Sequence, residues 1–169
     1  MGFHLTTAGA IHAGLAMAGI LIGLMQFLGA KGTRLHRALG YGYVYGMLVA
    51  DGAALMIYQF TGRFNIFHIG AIVNAICIVA VMLPVLRDPR SPDWKARHYR
   101  WMSGSYVGLL AAAATELVVR TVPFSTKAQV WTATAAATII VTVVGRLLIA
   151  RYRRIAAPNR ASRDLAKPA

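Results

Sequence analysis

Five apolar stretches of about twenty residues each, separated by short polar or charged turns, leave this 169-residue chain few ways to fold. A hydrocarbon core about 30 Å thick takes roughly 20 apolar residues in helix to cross. The segments Leu5–Leu28, Leu35–Tyr58, Phe64–Leu86, Tyr99–Thr121 and Val130–Ala150 each reach that length. Hydrophobic residues make up 57% of the chain and charged residues only 14%, a balance unlike that of a soluble domain. The expected fold is therefore an all-α, polytopic membrane protein with five transmembrane helices. Short connections make consecutive helices antiparallel neighbours, so helices 1 to 4 should form an up-down bundle. Residues 1–154 are read as the transmembrane domain, and residues 155–169 as a basic, mobile cytoplasmic tail.

The net charge of +13 raises the possibility of nucleic acid, and its distribution argues against it. Lys31, Arg34 and Arg37 lie in the first loop and the start of helix 2. Arg87, Arg90, Lys95, Arg97 and Arg100 surround the loop before helix 4, and Arg146, Arg151, Arg153, Arg154, Arg160, Arg163 and Lys167 close the chain. With five spans all of these fall on one side, leaving only Arg63, Arg120 and Lys127 on the other. By the positive-inside rule the crowded side is cytoplasmic, with the N-terminus outside and the C-terminus inside. A basic rim of this kind meets anionic lipids and requires no nucleic acid. Helix 1 lacks a basic region before it and exceeds the usual apolar run of a signal peptide, so it is read as a span. Cys77, the single cysteine, is a small packing residue.

Ionisable groups inside a membrane cost a few kcal/mol each on insertion scales, which makes them functional candidates. At about 1.5 Å of rise per residue, His12, Asp51, His68 and Glu116 fall in one layer in the outer half of four helices. His36 and His98 fall at the cytoplasmic starts of helices 2 and 4. In an up-down bundle helices 1 and 3 are diagonal, as are 2 and 4. His12 then faces His68, and His36 faces His98. Histidines on facing helices suit axial ligation of haem b, since each neutral imidazole offers one lone pair. The outer set His12, His68, Asp51 and Glu116 alternatively suits a non-haem transition metal. A third option is that Asp51 and Glu116 relay protons, to a quinone or to the outer phase, while Arg120 neutralises Glu116 four residues away.

Plainer roles stand beside these. His36 and His98 lie among arginines, where interfacial histidines are ordinary, and His12 and His68 could serve as structural hydrogen-bonding residues. His4 is incidental. Gly19/Gly23, Gly42/Gly46 and Gly104/Gly108 repeat a small-xxx-small spacing that lets backbones approach closely, and they are read first as helix packing. Tyr41, Tyr43 and Tyr45 occupy the cytoplasmic half of helix 2, and Tyr58 its outer end, where aromatic rings suit the interface. Helix 5, without histidine or carboxylate, is read as packing or as a surface for a membrane protein partner.

The run IHAGLAMAGILIGLMQFLGAKGTRLHRALGYGYVYGM, with ARHYRWMSGSYVGLLAAAATELVVR later, resembles a bacterial family of small membrane proteins grouped as a domain of unknown function. The resemblance runs from about Ile11 to Arg120. It rests on an LHR-x-x-G-x-x-Y start to helix 2 and an H-x-x-W-M start to helix 4, with His36, Arg37, Gly40, His98, Trp101 and Met102 in matching positions. It implies an inner-membrane protein and no particular activity. The histidine layout is also similar to that of small two-haem b-type cytochromes, which implies electron transfer through His12/His68 and His36/His98. Here the inner pair departs from the pattern by lying near the helix ends. The first reading is thus a cytochrome-like electron-transfer protein. The alternatives are a non-haem metal or proton-coupled redox protein, and a non-catalytic accessory subunit. Within helix 2, Asp51 is the residue whose loss should abolish function before that of His36.

Overall fold

The computed structural model describes residues 6–58, 62–87 and 93–156. They form five helices, α1 (Thr7–Leu28), α2 (Arg34–Ala54), α3 (Ile66–Arg87), α4 (Trp94–Thr121) and α5 (Lys127–Ala156), with no strand among the described residues. The all-α membrane architecture expected from the sequence is present. α1, α3, α4 and the Lys127–Arg151 part of α5 are long and apolar enough to cross a membrane. α2, at 21 residues, is long enough but more polar. The tail beyond residue 156 and His4 lie outside the described residues.

Local chemistry sets the helix ends. Thr6 Oγ1 accepts from the Gly9 amide at 3.2 Å and Thr33 Oγ1 from the His36 amide at 3.0 Å, so each threonine caps a helix that starts one residue later. Beyond α1 the chain turns at Gly32, whose φ of +78° lies in the left-handed region that glycine tolerates. Lys31 Nζ reaches back to donate to the carbonyls of Gln26, Phe27 and Gly29, a cation placed on the unpaired acceptors of a helix C-terminus. α4 begins at Trp94, five residues before the expected Tyr99, so its first turns carry the charged run Lys95 to Arg100.

The chain divides into two compact units at Leu109/Leu110, within α4. In the first, α1 and α2 run antiparallel. Gln26 of α1 bonds to His36 of α2, Gly19 lies against Met47, and His12 bonds to Ala50, so numbers fall along one helix as they rise along the other. α2 meets α3 in the same sense, through Asp51 with Asn74, and Tyr58, just beyond α2, packs on His68 near the start of α3. Its core is Tyr43, Val44, Met47, Ile78 and Leu109, and three of these five belong to α2. This explains how a polar helix is tolerated: α2 turns Tyr43, Val44, Met47 and Asp51 toward protein and leaves Leu35, Tyr41, Tyr45 and Val49 exposed. α1 and α3 turn Met17, Leu21, Leu24, Val73, Ile76 and Val79 outward, as helices facing hydrocarbon do.

The second unit holds the end of α4 and α5. Thr126 and Gln129 form a capping box at the start of α5: Gln129 N–H donates to Thr126 Oγ1 at 3.3 Å, and Gln129 Oε1 accepts from the Thr126 amide at 3.1 Å. Thr115 and Thr138 hydrogen-bond at 3.2 Å between the two helices. Ile139, Ile140, Val143, Val144, Leu147 and Leu148 of α5 are exposed.

Candidate functional site

The polar residues of the first unit meet around Asp51, one turn before the end of α2. Asp51 is only 5% exposed and makes no ion pair with lysine or arginine among the described residues. Asn74 of α3 donates its Nδ2 to Asp51 Oδ2 at 2.8 Å. Ser105 of α4 donates to Asn74 Oδ1 at 3.5 Å, and Tyr43 Oη lies 3.1 Å from Ser105 Oγ. The direction of every bond follows from the carboxylate. An ionised carboxylate only accepts, so Asn74 presents its amide nitrogen to Asp51 and its oxygen to Ser105. The serine hydrogen is then committed, and Tyr43 must donate. The result is a polarised chain, Tyr43 to Ser105 to Asn74 to Asp51, that ties α2, α3 and α4 together and directs its dipoles at one buried carboxyl group.

His12 reaches the same place from α1. Its Nδ1 lies 2.9 Å from the Ala50 carbonyl oxygen, which can only accept, so Nδ1 carries the proton and Nε2 keeps its lone pair. The ring is partly exposed and close enough to Asp51 to interact electrostatically. His68 has the opposite tautomer. It is 1% exposed, its Nδ1 accepts from the Asn65 amide at 3.2 Å, and its neutral ring therefore carries the proton on Nε2. Tyr58 and Phe64 flank that ring at centroid distances of 4.7 and 5.0 Å. Because Asn65 Oδ1 also accepts from the Phe67 amide at 2.9 Å, Asn65 and His68 cap the start of α3 reciprocally.

His36 and His98 stand within electrostatic reach of each other and His36 also of Lys31. The His36 carbonyl accepts from Gln26 Nε2 at 2.7 Å, and Gly40 leaves room for that amide: a Cβ at Gly40 would lie 3.2 Å from Gln26 Nε2. Glu116 and Arg120 pair at 2.6 Å on an exposed face of α4, in the second unit. Among the described residues, no three of His, Cys, Asp and Glu stand close enough together to hold a metal ion.

The glycine pairs differ from one another. A Cβ at Gly23 would lie 2.2 Å from the Tyr106 ring and one at Gly19 2.7 Å from Met47 Sδ, so this pair does receive neighbouring helices. Gly42, Gly46, Gly104 and Gly108 have nothing within 4 Å of a Cβ. Tyr41 and Tyr45 are exposed and stack at 6.3 Å, whereas Tyr43 between them is 1% exposed. Sequence reasoning missed Tyr43, Asn74 and Ser105 as site residues. The available signal was Asn74, the only carboxamide in the apolar run of α3.

A helical membrane bundle enclosing a buried, hydrogen-bonded carboxyl group is the class these features define. The chain matches the family described as predicted membrane protein (DUF2306) over residues 9–153, and it belongs to that family. The resemblance carried by the LHR and HYRWM runs to a family of unknown function thus holds. No curated protein and no solved structure matches the chain.

Proposed function

We propose that this is a proton-coupled membrane protein of the redox or transport type, in which Asp51 takes up and releases the proton. The observation that carries the reading is the setting of Asp51: nearly sealed from solvent, without a lysine or arginine partner among the described residues, and held by the neutral amide of Asn74 at the head of a polarised hydrogen-bond chain. A carboxylate kept for structure alone would be expected to have a cation beside it, since an uncompensated buried charge is costly. A carboxyl group that changes its charge during a cycle needs neutral partners that serve both forms. Infrared difference spectroscopy of the reconstituted protein across a pH change tests this. A protonated-carboxyl band that titrates, and that Asp51→Asn removes, is expected; a spectrum that Asp51→Asn leaves unaltered sinks the reading.

A second reading is haem b between α2 and α4, favoured by the placing of His36 and His98 at the starts of those helices, within electrostatic reach of each other. Bound there, haem would supply one-electron transfer. The pair His12 and His68 fits a haem less well, because the hydrogen bond to the Asn65 amide leaves the His68 proton on the nitrogen that would face iron. Reduced-minus-oxidised spectra after haem-supplemented expression decide the matter. Soret and alpha bands lost in both His36→Ala and His98→Ala support the reading, and their absence from the native protein removes it. The proposed orientation puts the Lys31, Arg34 and Arg37 end on the cytoplasmic side, against anionic lipid.

A further inference from the structure

A buried carboxyl group can exchange its proton only through something that reaches the surface, and the residues around Asp51 differ in whether they do. The titratable groups that face it are Tyr43 on its own helix and His12 on α1, while α3 contributes the neutral Asn74 and α4 the neutral Ser105. Tyr43 is 1% exposed and Ser105 4%, so the hydrogen-bond chain ends inside the protein. Its amide link is also a poor proton conductor, since passing a proton through Asn74 would need the unstable imidic-acid form. His12 is partly exposed and sits six residues into α1, roughly 8 Å along the axis from the helix start. Its Nδ1–H is fixed on the carbonyl of Ala50, the residue before Asp51, so the nitrogen free to bind a proton is Nε2.

Resting on the proton-coupled reading above, we infer that His12 is the port through which Asp51 exchanges its proton with the surrounding phase. In uptake, Nε2 binds a proton from the medium and the ring becomes an imidazolium, with Nδ1–H still on Ala50. That proton then passes to an Asp51 carboxylate oxygen, leaving a neutral carboxylic acid and a neutral imidazole in its original tautomer. Release is the reverse. Ala50 restores the tautomer each time because its carbonyl cannot donate. Two neutral partners, Asn74 and the Ala50 carbonyl, hold the two groups in place.

The test uses the full chain in phosphatidylcholine and phosphatidylglycerol vesicles. The Asp51 carboxyl band, identified by its loss in Asp51→Asn, is followed as protonated protein is switched rapidly into deuterated buffer of the same acidity. His12→Gln keeps a donor for the Ala50 carbonyl but cannot ionise, and it should slow the exchange at least tenfold while the band persists. In His12→Ala, added imidazole should restore the rate. An exchange rate in His12→Gln within twofold of the native one overturns the port, and so does a slowed His12→Ala that imidazole does not rescue. Absence of a titrating Asp51 band in the native protein overturns the proton-coupled reading itself, which separates the two failures.

Discussion

Asn74 is the residue on which the buried chain depends, because it is the only member that both donates to Asp51 and accepts from Ser105. Replacing it by alanine takes the donor from the Asp51 carboxyl group and the acceptor from the Ser105 hydroxyl, at a cost of about 1–3 kcal/mol for a buried group left unsatisfied. Tyr43→Phe removes only the terminal donor, and a neutral hydrogen bond contributes about 0.5–1.5 kcal/mol. Thermal unfolding in detergent should therefore rank Asn74→Ala as more destabilised than Tyr43→Phe, and equal losses would argue against a chain that leads to Asp51. At this scale the sequence exposed the charged half of the site and concealed the rest. Asp51 and His12 announce themselves because ionisable groups are rare in apolar helices. Tyr43 and Ser105 do not, since tyrosine and serine are ordinary in spans and only tertiary packing decides which of three alternating tyrosines turns inward.

Between elements, the close approach at Gly23 and the open space at Gly42 give opposite expectations for one kind of substitution. Gly23→Ala would drive a methyl group into the Tyr106 ring, which bonds through its hydroxyl to the Ile20 carbonyl at 3.1 Å and packs on Phe27 at 5.2 Å. The ring must move, and overpacking of this kind costs about 1–3 kcal/mol. Gly42→Ala meets nothing and gains up to about 1 kcal/mol of helix propensity. Melting temperatures should fall for the first and hold or rise for the second. The spacing of four was visible in all three pairs, but spacing says nothing about where a helix points a given face. The start of α2 fell within a residue of the expected Leu35, whereas that of α4 did not, because a charged run hid the first turns of the helix.

For the whole molecule, the membrane architecture was legible because hydrocarbon thickness fixes the length of an apolar segment, and residues that cannot satisfy that requirement alone stand out. α2 is such a segment. If it spans as its antiparallel packing against α1 and α3 requires, the five helices leave the two termini on opposite sides; were it not to span, the termini would share a side. Reporter fusions at each end, one active only in the cytoplasm and one only outside it, should read C-terminus in and N-terminus out. Matching readings at both ends would exclude the five-span topology. The setting of α2 also bears on how the chain is made. Among the described residues, Asp51 finds its hydrogen-bond donor on α3 and Tyr43 its acceptor on α4, so when α2 leaves the ribosome these groups have not yet been synthesised. It would then be retained beside α1 in the insertion machinery until α3 arrives, and the two would enter the lipid together.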